Sequence, residues 1–231
     1  MTVKKEPWIT LVGGGSASRG AYRAARRLAP RVFAVDGGAN HLKAWGERPE
    51  AILGDLDSVR DLDWWSSQKD VYVLKTPDQE TTDFEKALDR LQAEVVLAVG
   101  FLGGRLDHAL AALHALAARP GRRILLIGAQ EVVFLAPPLW RARLKPGDRL
   151  SIWPIRPVTV SRSRGLRWPL DPLRLEAGLK IGSSNEVSEP EVSAAFDASG
   201  ALILLPRARL EAAVASLLAA PVPPEASPGR A

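Results

Sequence analysis

Apolar runs that alternate with helical segments predict an α/β protein, an N-terminal mostly parallel sheet with helices on both faces, followed by a smaller all-β sandwich domain. Three observations carry this. The runs in the first 138 residues are continuously apolar, as strands buried on both faces are; they end in polar and turn-forming residues; and helical periodicity disappears after Pro137 and Pro138. In open parallel sheets ligands bind outside the carboxyl ends of the strands, so the Gly and Asp motifs fall where a site belongs.

The elements follow in order. "WITLVGGG" is a first strand, Trp8 to Val12, running into a glycine turn, and Ser18 to Leu28 has helical spacing with arginines outward. Val32 to Val35 is a second strand closed by Asp36, Gly37 and Gly38, with a helix over His41 to Trp45. "EAILGDLDS" and "DVYVLKTPDQ" supply a third and a fourth strand, "EVVLAVGFLGGR" and "RRILLIGAQ" a fifth and a sixth. A helix capped by Thr81 or Thr82 runs from Asp83 through Leu91, with Phe84, Ala87, Leu88 and Leu91 inward. Another, rich in Ala and Leu, runs from Asp107 to Ala118. Beyond Pro138, turns such as "KPGD", "SRSRG" and "DASG" part short strands. The expected organisation is an α/β nucleotide-binding catalytic domain over 1–138, a β-sandwich domain over 139–206, and a possible closing helix with a disordered tail over 207–231.

Composition narrows the chemistry. With no cysteine there is no disulfide or thiolate zinc site, and the three scattered histidines make no metal cluster, so any metal falls to carboxylates. No apolar run approaches the ~18 residues of a membrane span, and a cytoplasmic chain is expected. The net charge of +5 admits a nucleic-acid partner, but the arginines are spread without a block, so no nucleic acid and no membrane is expected as partner.

"GDLDSVR" places Asp55 and Asp57 on either side of a leucine at the end of a strand. On an extended backbone they face the same way and repel each other, which a magnesium ion carrying polyphosphate relieves; alternatively Asp55 caps a turn and Asp57 sits in solvent. Asp83 opens a helix, where the macrodipole favours a carboxylate in any case. Together with Asp55 and Asp57 it makes a three-carboxylate cage that calls for a divalent cation. Asp78 and Gln79 precede that helix in a loop at the same edge. "GFLGGRLDH" offers Gly103, Gly104 and Arg105 as a phosphate cradle at a helix start, with Asp107 and His108 beside it. "VGGGSAS" is either a phosphate loop or a tight turn. In the second domain Trp168 is suited to stacking on a flat ligand, and Ser183, Ser184 and Asn185 to hydrogen-bonding one.

"DGGAN" (36–40), "GDLDS" (54–58), "DQETTDFEKAL" (78–88), "GGRLDH" (103–108), "GLRWPL" (165–170) and "SSNE" (183–186), in this order, resemble the thiamine pyrophosphokinase (thiamine diphosphokinase) family. The resemblance implies transfer of pyrophosphate from ATP to the hydroxyl of thiamine, giving thiamine diphosphate and AMP, in a homodimer whose active sites are shared between subunits. It implies Mg²⁺ on Asp55, Asp57 and Asp83, ATP as co-substrate, and ATP phosphates near Asp36, Gly37, Asn40, Gly103, Gly104, Arg105 and His108. Thiamine then lies against Asp78, Gln79, Trp168, Ser183, Ser184 and Asn185, with Trp168 reaching across from the partner and Asp78 or Asp107 orienting the attacking hydroxyl. A pyrophosphokinase of the same fold acting on another hydroxymethyl heterocycle, such as a pterin, is the alternative. An aspartyl-phosphate phosphatase fits less well, since its motif belongs after the first strand and "DLDS" follows the third.

Overall fold

The computed structural model describes residues 7–76 and 80–221. The chain divides into two compact units, Met1–Ala115 with Leu126–Ala129 and Leu116–Leu125 with Gln130–Ala231.

In the first unit the elements are β1 (Trp8–Val12), α1 (Arg19–Leu28), β2 (Arg31–Val35), α2 (Gly38–Trp45), β3 (Ala51–Gly54), α3 (Leu62–Ser66), β4 (Tyr72–Lys75), α4 (Asp83–Arg90), β5 (Val95–Val99), α5 (Leu106–Ala118) and β6 (Ile124–Ile127), the last two running past its boundary. The strand order is β6-β5-β1-β2-β3-β4, and β1 pairs in parallel with both β2 and β5, as do β2 with β3 and β3 with β4. The order turns back at β1, with β2 to β4 on one side and β5 on the other. A crevice forms at such a reversal, because the loops leaving the two neighbouring strands diverge.

Local chemistry sets the helix ends. The Ser18 side chain accepts from the Ala21 amide and starts α1. Thr82 and Glu85 bond each other's backbone amides in a reciprocal capping box that starts α4 at Asp83. Gly46, at φ 72°, ends α2 in a left-handed cap. α1 packs on β1 and β5, α2 on β1 and β2, and α4 on β2 and β3. Ile9, Leu11, Val32, Ile52, Leu53, Val96 and Leu97 build the buried sheet interior, and Thr10 is buried among them because its hydroxyl donates to the Ala29 carbonyl at 2.7 Å. β4 closes the sheet as an exposed edge, which explains the alternation missing from its burial. α3 has no counterpart in the expected elements, since five residues are too few to show a period.

The second unit holds β7 (Glu131–Leu135), β8 (Leu139–Arg143), β9 (Arg149–Pro154), β10 (Val158–Arg164), β11 (Leu173–Leu175), β12 (Gly182–Glu186), β13 (Glu191–Phe196), β14 (Ala201–Pro206), a 3-10 turn at Arg207–Arg209 and α6 (Leu210–Ala219). Its strands form two antiparallel arrays, β12-β9-β14-β7 and β11-β10-β13-β8. β8, β9 and β13 bury every second residue, as strands with one inward face do. Glu131–Leu135 pairs antiparallel with Ala201–Pro206, so this strand belongs to the second unit, whereas the sequence grouped it with the first. Its continuous apolar run does not reveal whether the partner is parallel or antiparallel. The closing helix is present, anchored where the buried Trp140 indole donates to the Ser216 hydroxyl at 3.0 Å.

Candidate active site

Three carboxylates meet at the carboxyl edge of the first unit. One oxygen each from Asp36, Asp55 and Asp57 lies within 4.8 Å of the others. Parallel registers bring Asp36, after β2, beside the loop after β3, with Val35 opposite Leu53. The convergence of Asp55 and Asp57 has a different cause from the extended backbone expected. The strand ends at Gly54, and Leu56 turns the chain in the left-handed region at φ 71° with its side chain buried. A buried leucine in that conformation is a strained point held by its packing.

Hydrogen bonds hold the loop. The Asp57 amide donates to Asp55 Oδ1 at 3.2 Å, the Ser58 hydroxyl to Asp57 Oδ1 at 2.8 Å, and the Ser58 amide to Asp36 Oδ1 at 3.3 Å. Asn40 donates to the Ser58 carbonyl and accepts from the Arg60 amide, both at 2.8 Å, which pins "GDLDSVR" to the start of α2. Burial pushes the Asp36 carboxyl above its ordinary range against the bonds from Gly37 and Ser58, and the Asp57 charge pushes the same way. Among the described residues none of the three is in an ion pair. Hard oxygen donors with unrelieved negative charge fit a divalent cation such as magnesium.

Asp83 is not part of this triple. Its carboxyl carbon lies 3.3 Å from where a Gly54 Cβ would stand, a spot that Asp36 Cβ also borders at 3.1 Å, and its Oδ1 pairs with Lys86 Nζ at 3.0 Å. The third member of the group is therefore Asp36, with Asp83 flanking. Sequence reasoning missed Lys86, only 8% exposed, although its position three residues after Asp83 on a helix was a readable signal. Asp78 and Gln79 lie outside the described residues.

Glycine loops form the other side of the edge. Gly14 packs against Gly37, a Cβ at Gly100 would come within 2.4 Å of the Gly13 carbonyl oxygen, and one at Gly38 within 1.8 Å of the Val12 carbonyl oxygen. Only glycine permits these backbones to touch. Gly103 and Gly104 take positive φ beside Ser16, and Arg105 then pairs with Asp107 at 2.6 Å. The Arg105 guanidinium holds the Asp107 carboxyl below the usual carboxylate range, so it is ionised at neutral pH. His108 is exposed beside them.

In the second unit Trp168 is 52% exposed, with the Arg167 guanidinium 5.0 Å from its ring centre and Arg167 paired with Glu186 at 3.3 Å. Asn185 is only 4% exposed. Its side chain accepts from the Trp168 and Glu186 amides and donates to the Trp168 carbonyl at 2.7 Å. Asn185, expected to hydrogen-bond a ligand, here braces the Trp168 backbone with its amide. Ser183 and Ser184 are exposed, and the Ser184 amide donates to Ser151 Oγ at 2.9 Å.

Fold and site together define an α/β chain that gathers carboxylates and close-packed glycine loops at the carboxyl edge of a parallel sheet and continues into an all-β unit. Residues 24–126 match the model of the thiamin pyrophosphokinase catalytic domain, and residues 141–199 that of the thiamin pyrophosphokinase vitamin B1 binding domain. The chain belongs to the thiamin pyrophosphokinase family. It is 31% identical over 159 residues to thiamine pyrophosphokinase 3 of Oryza sativa subsp. japonica, covering 62% of this chain and 60% of that protein. To thiamine pyrophosphokinase 1 of Arabidopsis thaliana it is 30% identical over 167 residues, 65% of this chain and 62% of that protein. It thus spans less than two thirds of the length of these relatives. The fold is also that of yeast thiamin pyrophosphokinase, with a TM-score of 0.74 at 17% identity over 94% of this chain and 90% of that one. Thiamine pyrophosphokinase from Bacillus subtilis is similar too, with a TM-score of 0.73 at 23% identity over 86% and 98%.

Proposed function

We propose that this chain is a thiamine diphosphokinase, which moves the pyrophosphoryl group of ATP onto the hydroxyl of thiamine and releases AMP. The observation that carries this reading is the presence, on one chain and in this order, of a catalytic-domain match and a vitamin B1 binding-domain match. No comparison supports the pterin alternative.

The hydroxyethyl oxygen of thiamine attacks the β-phosphorus. The new O–P bond forms as the bond from that phosphorus to the oxygen bridging it to the α-phosphorus breaks, AMP leaves with the bridging oxygen, and the hydroxyl proton passes to a carboxylate and then to water. Such transfers depend on alignment and electrostatics more than on a covalent intermediate. Asp55 and Asp57, with Asp36 and Asp83 beside them, would hold magnesium, which when bound neutralises charge on the phosphate oxygens. Gly37 and Asn40 shape the loop that presents these carboxylates. Gly103, Gly104, Arg105 and His108 face the phosphates. Arg105 exchanges Asp107 for phosphate oxygens, which leaves Asp107, already ionised, to orient the thiamine hydroxyl; Asp78 is the other residue suited to that task. Trp168, braced by Asn185, stacks on a thiamine ring, with Gln79, Ser183 and Ser184 as polar neighbours. A cytoplasmic homodimer with shared active sites completes the proposal; no described helix is long and apolar enough to cross a membrane.

Purified protein supplied with ATP, Mg²⁺ and thiamine is expected to form thiamine diphosphate and AMP in equal amounts. Asp57→Ala should lower the rate at least about 100-fold, the scale of losing a group that stabilises transition-state charge, without lowering the melting temperature, because the substitution also relieves repulsion. ADP with thiamine monophosphate, or no product from wild type, would refute the reading.

A further inference from the structure

We infer that His41 is a positioning residue for the nucleotide: through Gly15 it holds the loop Gly13–Ala17 as a wall for the ATP phosphates. The inference rests on the proposed pyrophosphokinase reading and extends it to a loop and a histidine which that reading leaves without a role.

The loop leaves β1 where the strand order turns back, beside the loop that leaves β5, and ligands of open α/β sheets lie in the crevice between two such loops. The amides of Gly14, Ser16, Gly103 and Gly104 have no partner among the described residues. The Ser16 amide nitrogen and hydroxyl each lie 3.6 Å from where a Gly104 Cβ would stand, so donors from both loops border the same space. Unpaired amides converging from two turns suit an anion.

Gly15 is clamped from both sides. Its amide donates to the Gly100 carbonyl at 3.0 Å, and its carbonyl lies 2.8 Å from His41 Nε2. A carbonyl only accepts, so Nε2 carries the proton. The imidazole is itself held in place, stacked on Trp45 at 5.5 Å between ring centres, and Trp45 stacks on Tyr22 at 5.0 Å. Gly14 in turn packs on Gly37, a second contact on the loop that carries these phosphate donors. Trp168 belongs to the other unit.

The test uses the full chain. His41→Phe keeps a ring against Trp45 and removes the donor; His41→Gln returns an N–H at similar reach. ATP binding with Mg²⁺, measured by calorimetry, and KM for ATP are both expected to weaken about five- to tenfold in His41→Phe, the scale of one hydrogen bond. The thiamine KM and kcat should stay within about twofold, and His41→Gln should bind ATP within about twofold of wild type, on the same scale. ATP binding unchanged in His41→Phe, a parallel loss in thiamine KM and kcat, or a Gln variant no better than the Phe variant would each overturn the inference. Wild type that binds ATP but forms no thiamine diphosphate sinks the pyrophosphokinase reading alone, and calorimetry still judges His41. Wild type that does not bind ATP overturns both.

Discussion

At the scale of single residues, short backbone contacts decide what the site tolerates. A Cβ at Gly38 would stand 1.8 Å from the Val12 carbonyl oxygen, with no flexible side chain to yield. Gly38→Ala should therefore destabilise by more than about 3 kcal/mol, at the severe end of overpacking. Gly46→Ala adds a Cβ to open space and meets only the strain of φ 72°, about 1 kcal/mol. Chemical denaturation of both variants checks the ranking, and equal losses would refute it. "GDLDS" made Asp55 and Asp57 visible in the sequence, because two carboxylates so close invite a cation. That Asp36 joins them was not visible, since Asp36 lies 19 positions before Asp55 and strand pairing alone brings them together. The histidines show the same limit. His41 is half-buried against Gly15 while His114 is exposed, and the residues beside them reveal neither placement.

At the scale of elements, "KPGD" was legible as a turn because Pro and Gly at its centre suit the backbone angles there. Its other function was not: Asp148 at its end accepts from Arg209, the last residue of the 3-10 turn before α6, at 2.5 and 3.0 Å. Burial alone pushes the Asp148 carboxyl up, but the Arg209 guanidinium and the Lys145 amide outweigh it and hold the carboxyl below its usual value. A depressed acid stabilises the fold fully above the unfolded value, about 4, and loses that contribution as pH falls through the folded value. Asp148→Asn should thus cost about 1–2 kcal/mol at pH 7, the scale of one charge-assisted bond. The gap in melting temperature from wild type should start to narrow below about pH 4 and close once pH falls below the folded value. A gap that persists unchanged at pH 3 would assign the loss to packing instead.

At the scale of the whole molecule, the proposed homodimer makes a prediction that no single chain can fulfil. Asp57→Ala and Trp168→Ala, each inactive alone, remove a carboxylate from the first unit and a stacking ring from the second. If active sites are shared between subunits, mixing and re-equilibrating the two variants yields heterodimers with one intact site, and activity returns. Persistent inactivity of a mixture shown by mass spectrometry to contain heterodimers would rule the shared site out.

The sequence by itself determined what local chemistry determines. Apolar runs of strand length, helix caps at Ser18 and Thr82, and turns rich in Gly and Pro specify the elements, and their order specifies an α/β unit followed by an all-β one. The ordered motifs carried the family resemblance, which the two domain matches bear out. Tertiary structure alone decided which side chains meet. Asp36 joined Asp55 and Asp57 with Asp83 flanking, Asn185 braced Trp168, and Glu131–Leu135 paired with Ala201–Pro206. The reason is physical: propensity and capping act over a few residues, whereas strand order, register and a left-handed turn at one leucine fix distances between residues far apart in the chain.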